Sequence, residues 1–533
     1  MLNQFIKKVV SNGRRNLYGF SFLLMAVSLL TGMMVTTEAV IAPASYVIYI
    51  DGSTYYAQNG QTGINDYSGS DAKTVIESAI TALTNGGKVF IKGGTYTITS
   101  PINVLKSNIT VEGEGERTQL DATTLNRGGY QTRGVFENGN YFSGQTNVTS
   151  ITGFTLRSLL IRGTYTITPD GVSGIILAKG SVGDTYNILI ENVKFDNCYC
   201  ATIFYGVTKI VAMKNQVNGG LAGPTVNTAA DNTPCRYVTF NENQIFNAND
   251  DGLAFLGHGL RDCVAIGNVI DKNGGIAGSG IKVTSNDTSP YMSRISIIGN
   301  VITNCTAQGG IIVETGNPNE KDIVVSGNVL DNCDIGIQIS ANAVVKDNII
   351  TNSELMGIRN LMKNGLTGVS RSIIGNNIID SVSSPTGSGI VIQGQYNEVF
   401  GNIIRNCPTG IEENNGNLTN PDYNYYHHNE TLDLVTTKMT ILGANNIIKA
   451  NRGYVTENSG TATISNSATS VAVNHGLSYT PSLNDIHVTP TNNLGNSTKF
   501  WVSSPTSSQF TTNVSPAPGS GKTATFSWQI IRN

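Results

Sequence analysis

Between Asn192 and Asn429 the chain repeats one short phrase: a few apolar residues, an Asn followed by a β-branched pair, a polar stretch, then Gly and an aliphatic residue. The Asn anchors are Asn192, Asn215, Asn243, Asn268, Asn300, Asn328, Asn348, Asn377, Asn402 and Asn429. Their mean step of about 26 residues falls in the range of solenoid repeats. A second beat follows each anchor by about eight to twelve residues, at Gly252, Gly280, Gly310, Gly336, Gly357, Gly389 and Gly410. Two beats per repeat imply two fixed corners.

Each beat opens three to five residues of alternating character, such as Ile337-Gln338-Ile339-Ser340, the period of a half-buried strand. No segment here has helical spacing, so short strands without crossover helices stack in parallel only if the chain coils continuously. The pattern predicts an all-β, right-handed parallel β-helix, a single-stranded solenoid. Asn and Gly suit its corners because they accept left-handed backbone angles, and stacked Asn side chains can bond to one another along the coils. Cys305, Cys333 and Cys407 each follow their Asn by five residues, with Ser353 in the same slot, which predicts an inward column of small side chains and buried thiols.

Only 13% of the 533 residues are charged and Gly numbers 59, a balance of many corners and few surface helices. A net charge of -3 with no basic stripe excludes a nucleic-acid partner. The N-terminus has Lys7, Lys8, Arg14 and Arg15, an apolar run from Leu17 to Val35, and Ala42-Pro43-Ala44 in the form of a cleavage site. Residues 1–45 therefore read as an export signal or, given the length of the run, a membrane anchor, placing the protein outside the cell or on its surface. Seven cysteines in an exported chain argue against a disulfide framework.

Ahead of the repeats comes an amphipathic stretch led by Asp71 through Ile76, Ile80 and Leu83, which predicts a short helix closing the open end of the coil. After it run Gly86-Gly87-Lys88-Val89-Phe90-Ile91, Gly93-Gly94-Thr95-Tyr96 and Ile109-Thr110-Val111-Glu112-Gly113. This order resembles the pectate-lyase-like domains of the pectin lyase superfamily, over about residues 46–455. The resemblance implies an extended carbohydrate laid along one sheet, with functional side chains on neighbouring coils. It also allows a homotrimer, since trimeric fibres use this fold.

From residue 458 onward the Asn beat stops, and both tryptophans, Trp501 and Trp528, lie there. Alternating runs at Ser470–Val473, Ile486–Val488, Lys499–Val502 and Thr525–Ile530 predict a small antiparallel β-sandwich. The organisation expected is thus a leader at 1–45, a β-helix at 46–457 and a sandwich at 458–533. The run from His475 to Ser482, followed by Phe500-Trp501-Val502, is loosely similar to modules of phage fibres and H-type lectins. Trp501 and Trp528 are its candidate sugar-stacking rings.

The densest polar cluster of the solenoid is Asn249-Asp250-Asp251-Gly252, which reads equally as a favoured turn. Two adjacent carboxylates can hold calcium or supply an acid and a base. Aligning the Gly beats makes Ala254, Lys282, Ile312, Gln338, Arg359, Val391 and Glu412 an outward column, with coils about 4.8 Å apart. Lys282 or Arg359 then serves as base or as clamp for a sugar carboxylate, while Asp250, Asp251 and Glu314 are the candidate calcium ligands. A plain surface ion pair between Lys282 and Glu314 is the simpler alternative.

Gly257-His258-Gly259 resembles a motif of polygalacturonases, making His258 a further catalytic candidate. It stands seven residues beyond Asp251, about 20 Å along an extended strand. Two functions follow: cleavage of an acidic polysaccharide by β-elimination, or less readily hydrolysis, with the sandwich binding glycan; alternatively, a non-catalytic adhesin or fibre using the solenoid as a rigid spacer.

Overall fold

The computed structural model describes residues 44–531 apart from 167–169, 273–274, 286–290, 316–320, 341, 362–370, 415–419 and 444. The leader expected at 1–45 lies, but for its last two residues, outside the described residues. Among the described residues no helix is long and apolar enough to cross a membrane.

A right-handed parallel β-helix fills residues from the first Gly-Gly motif to about residue 451. Each regular coil carries three strands, as in Arg236–Asn241, Gln244–Phe246 and Leu253–Leu256. Among the described residues the third strands stack into a 13-stranded sheet, and the first and second belong to one 28-stranded sheet. Those two faces join because Ile109–Asp121 runs unbroken around a corner and pairs with Thr155–Arg162 on both sides of it.

The core is built of repeated columns. Ile281, Ile311, Ile337, Ile358, Ile390 and Ile411 stack in register at 0% exposure, β-branched side chains suited to a pleated, half-buried surface. All seven cysteines are free and buried, with Cys198, Cys305, Cys333 and Cys407 in the predicted small-residue slot.

The Asn ladder is continuous from Asn215 to Asn451. At a typical rung the Asn268 Nδ2 donates to Asn300 Oδ1 at 2.9 Å and to Phe240 O at 3.0 Å, and the Asn268 N–H donates to the same Oδ1 at 3.0 Å. Three corrections follow. Asn192 is not a rung: it has φ +53°, and Val193 occupies the ladder slot, its N–H donating to Asn215 Oδ1. The left-handed angle belongs to the residue before each rung, whether Lys214, Glu242, Gly267 or Asp347. The ladder also extends past Asn429 to Asn451, into a stretch where the repeat is hard to see.

The Gly beat, too, has a different cause from the one expected. None of its glycines has positive φ; instead a Cβ on Gly280 would lie 2.4 Å from Ile302 Cγ2 and 2.6 Å from Gly310 O. Glycine is required there because neighbouring coils and the facing short strand approach too closely for any side chain.

At the N-terminal end the helix Ala72–Ala82 starts at the Asp71 cap, whose carboxylate accepts from Thr74 N at 3.2 Å, and buries Val75, Ile76, Ala79 and Ile80 over the first coil. Ahead of it lies an antiparallel meander, Tyr46–Asp51, Thr54–Asn59 and Asn65–Gly69, which the sequence pattern did not suggest. The last coils carry a second, shorter ladder, Asn397 to Asn424 to Asn446, ending on Glu413, whose carboxylate accepts from Tyr426 Oη at 2.6 Å. Residues 457–531 form two three-stranded antiparallel sheets whose facing sides enclose Phe510, Trp528 and Ile530.

Candidate functional site

The corner between Gln244–Phe246 and Leu253–Leu256 carries Asn249, Asp250 and Asp251, and its backbone is pinned to the coils on both sides. Asn249 N and Asp250 N donate to Gly220 O at 3.0 Å and Leu221 O at 2.7 Å, while Ala277 N donates back to Asn249 O at 2.9 Å. The corner is therefore a turn, as its composition suggests, held rigidly on the edge of the 13-stranded sheet.

Asp250 is half-buried, whereas Asp251 is only 8% exposed and accepts from Ser279 N at 2.8 Å. Burial, reinforced by the Asp250 charge, pushes the Asp251 carboxyl up to about 6, against the opposing pull of Ser279 N–H, Lys282 and Lys272. Lys272 is 2% exposed, its ammonium bonded to the Ala277 carbonyl, and burial pulls its pKa down. This buried cation lies under the corner and fastens the very loop that holds Asn249.

The column predicted from the Gly beats is reproduced in register, Ala254, Lys282, Ile312, Gln338, Arg359, Val391 and Glu412 pairing in sequence, but Ala254, Ile312, Gln338 and Val391 are covered rather than open to solvent. Along it runs a hydrogen-bonded strip. Lys282 Nζ reaches Glu314 Oε2 at 3.3 Å and Gln308 Oε1 at 3.2 Å; Gln338 Nε2 donates to Glu314 Oε1 at 2.8 Å, and Arg359 Nη1 to Gln338 Oε1 at 3.4 Å. Lys282, Glu314 and Arg359 are thus brought onto one surface spanning four coils, with Asp251 within electrostatic reach of Lys282. The simpler reading of Lys282 and Glu314 as an ion pair holds geometrically.

Other candidates fall elsewhere. His258 lies beyond the strand Leu253–Leu256, at the opposite corner from the Asp pair, its backbone exchanging bonds with Thr228 Oγ1. Trp528 is a correction: at 6% exposure, edge-on to Phe510 with ring centroids 5.6 Å apart, it belongs to the sandwich core and presents no face to a sugar. Trp501 remains 46% exposed.

The calcium set of Asp250, Asp251 and Glu314 does not fit the ion. Calcium takes six to eight oxygens at ~2.4 Å, whereas both Glu314 oxygens are engaged by Lys282 and Gln338. Among the described residues no group of three or more His, Cys, Asp or Glu converges as a metal site.

Sequence reasoning missed Ser279, Gln308 and Lys272. Ser279 and Gln308 sit one and two residues ahead of a Gly beat, a position that could have drawn attention; Lys272 gives no sign of its burial.

No family model matches the sequence, and no curated protein matches it. Among solved structures, a tailspike mutant of E. coli bacteriophage HK620 in complex with a pentasaccharide aligns at 12% identity over 86% of this chain and 90% of that one, with a TM-score of 0.51. A double mutant of the same tailspike, also with pentasaccharide, gives 12% identity, the same coverages and a TM-score of 0.52. The A-module of a mannuronan C-5 epimerase from Azotobacter vinelandii aligns at 15% identity over 72% of this chain and 95% of that one, with a TM-score of 0.32. What this chain shares with the tailspikes is the fold, a right-handed parallel β-helix.

Proposed function

We propose that this protein is an exported or surface-attached carbohydrate-active β-helix that binds an acidic polysaccharide along the outward face of the 13-stranded sheet and cleaves it by β-elimination. The observation that carries this reading is the pairing of the buried Asp251, whose carboxyl is pushed up by burial and by the Asp250 charge, with the more open Asp250, at the foot of a strip that offers Lys282 and Arg359 to a sugar carboxylate. Asp250 takes the proton α to the uronate carboxylate. The bond from sugar carbon to leaving oxygen breaks as the C=C bond forms, and Asp251 gives its proton to that oxygen. Lys282 balances the charge gathering on the uronate carboxylate, and water carries the proton from Asp250 back to Asp251.

The neighbouring tailspikes with bound pentasaccharide support the coarser part, a glycan-handling solenoid. The sandwich, through the exposed Trp501, is proposed as an accessory glycan-binding module.

A second reading, a non-catalytic fibre or adhesin, is favoured by the other outward face. On the short second strands Val269, Val301, Val329, Ile349, Ile378 and Ile403 form an aliphatic column in register, the first four 38–40% exposed. We propose that identical chains pack side by side on it as a homotrimer, an assembly that serves either reading.

The test is to incubate the chain lacking residues 1–44 with acidic and neutral polysaccharides, with and without calcium, following unsaturated-uronate absorbance and new reducing ends. Absorbance that is lost in Asp250→Asn, Asp251→Asn and Lys282→Met is the expected result. Reducing ends without absorbance replace elimination by hydrolysis at the same carboxylates. Binding without either signal sinks the catalytic reading in favour of the fibre.

A further inference from the structure

The N-terminal half of the same sheet has an outward face unlike the strip. Ile176 and Ile203 lie in the column that leads through Thr225 and Ala254 to Lys282, so the two surfaces are continuous. With Cys200 and Ala222 they make a small buried apolar cluster, separate from the solenoid core. Aromatic rings from loops distant in sequence cover it. Tyr141 stacks on Tyr205 at 4.2 Å and 14°, and Phe142, 38% exposed, meets Tyr205 edge-on at 6.1 Å. Nearest the Asp corner stand Tyr165 and Tyr199, half-buried, with centroids 6.1 Å apart and planes at 69°.

That edge-to-face arrangement matters. On the other sheet Tyr396 and Tyr423 are stacked parallel at 5.0 Å and 6°, so each spends one face on the other. Tyr165 and Tyr199, crossed at 69°, spend one face and one edge on each other, so the edge-on ring uses neither of its faces within the pair. Polar groups surround them: Gln131 Nε2 donates to Tyr199 Oη at 3.0 Å, and Arg127 pairs with Asp170 at 3.5 Å. Through the corner stack Leu221 N donates to Tyr199 O and Asp250 N to Leu221 O, which sets Tyr199 two coils, about 10 Å, from Asp250. The Asp250 charge also raises the pKa of both phenols, in addition to burial.

A pyranose has one face of C–H bonds and a rim of hydroxyls. It is matched by an aromatic plate bordered by amide, guanidinium and carboxylate groups. We propose that Tyr165 and Tyr199 form the plate of a pyranose-binding subsite, occupied by the same polysaccharide chain whose reactive bond lies over Asp250 and Asp251. The inference rests on the proposed function and adds to it a direction: the chain runs along the solenoid axis, from the aromatic shelf across the Asp corner to the Lys282–Arg359 strip.

The test uses the full chain carrying Asp250→Asn, so that ligand is bound and not consumed, with affinity electrophoresis against the polysaccharide panel. Adding Tyr165→Leu or Tyr199→Leu is expected to weaken binding about tenfold each, while Tyr199→Trp, which keeps a ring, holds affinity within about twofold of the parent. Unfolding midpoints of all variants are measured alongside, and Tyr199→Trp decides the matter if a leucine variant fails to fold. Unchanged binding in the leucine variants, or a tenfold loss in Tyr199→Trp at an unchanged unfolding midpoint, overturns the subsite and leaves the proposed function standing. A parent that binds no polysaccharide overturns both.

Discussion

The two outward faces of this solenoid sit on the same coils and have opposite chemistry. Lys282, Gln338 and Arg359 on the 13-stranded sheet are polar and linked by hydrogen bonds; Val301, Val329 and Ile349, on the short strands of the very same coils, are aliphatic and more than a third exposed. Inward positions are alike throughout, because close packing and the Asn ladder leave little choice. Outward positions are more varied: in the column of Lys282 and Arg359, Ala254, Ile312 and Val391 are covered to 1–2% exposure, whereas Val301, Val329 and Ile349 stand open. One face is suited to a hydrated, charged polymer and the other to a dry partner.

The sharpest way to separate inner constraint from outer freedom is a rung against its neighbour. Asn300→Ala removes the side-chain donor to Ala265 O and Asn328 Oδ1 and the acceptor of the Asn268 N–H and Nδ2, leaving Asn328 Oδ1 only the backbone N–H of residue 300. It is expected to cost about 4 kcal/mol in urea unfolding, whereas the adjacent outward change Val301→Ala costs less than about 0.5 kcal/mol. Equal losses would mean that the ladder is no more constrained than the surface.

On the polar side, pH reads out the buried acid. The Asp251 carboxyl is raised from 3.8 to about 6 in the folded state, so between those values the folded chain binds more protons than the unfolded one. Stability from this group is therefore present at low pH and lost as pH rises through about 6, by about 3 kcal/mol in all. Subtracting the stability profile of Asp251→Asn from that of the parent should isolate a falling limb in this window; a flat difference would place Asp251 in water.

On the aliphatic side, Val329→Lys with Ile349→Lys should turn an oligomer into monomer in sedimentation velocity while changing the unfolding midpoint by only a few degrees. If the parent already sediments as a monomer, this face is not used for self-assembly. Only a small effect is expected for Lys282→Met, where the lost pairing with Glu314 is worth less than about 1 kcal/mol. A larger loss would make the strip a stability device.

Much of this molecule was legible in its sequence, for a physical reason. A solenoid maps sequence period directly onto spatial register, so counting from Gly280 to Gly310 to Gly336 is enough to align Lys282, Ile312 and Gln338. Counting failed where the period is irregular or the cause lies across coils. Asn192 was misread by one position because Val193 fills its slot with an apolar side chain. Of the candidate site, the Asp pair and the Lys282 to Arg359 strip could be read. The burial of Asp251 and Lys272 could not, since it depends on loops from three coils closing over one corner. The aromatic shelf was equally hidden: its rings come from segments between Tyr141 and Tyr205 that share no motif.

The ladder has one more consequence. Each rung speaks only to the rung above and below, so a whole coil can be gained or lost without disturbing the chemistry of the rest, much as a link can be taken from a chain. The reach of the outward surface is then adjustable only in increments of about 4.8 Å. If the proposed function holds, a lineage of such proteins could match polymers of different repeat length by changing the number of coils between Tyr199 and Arg359, leaving the proposed contact residues as they are.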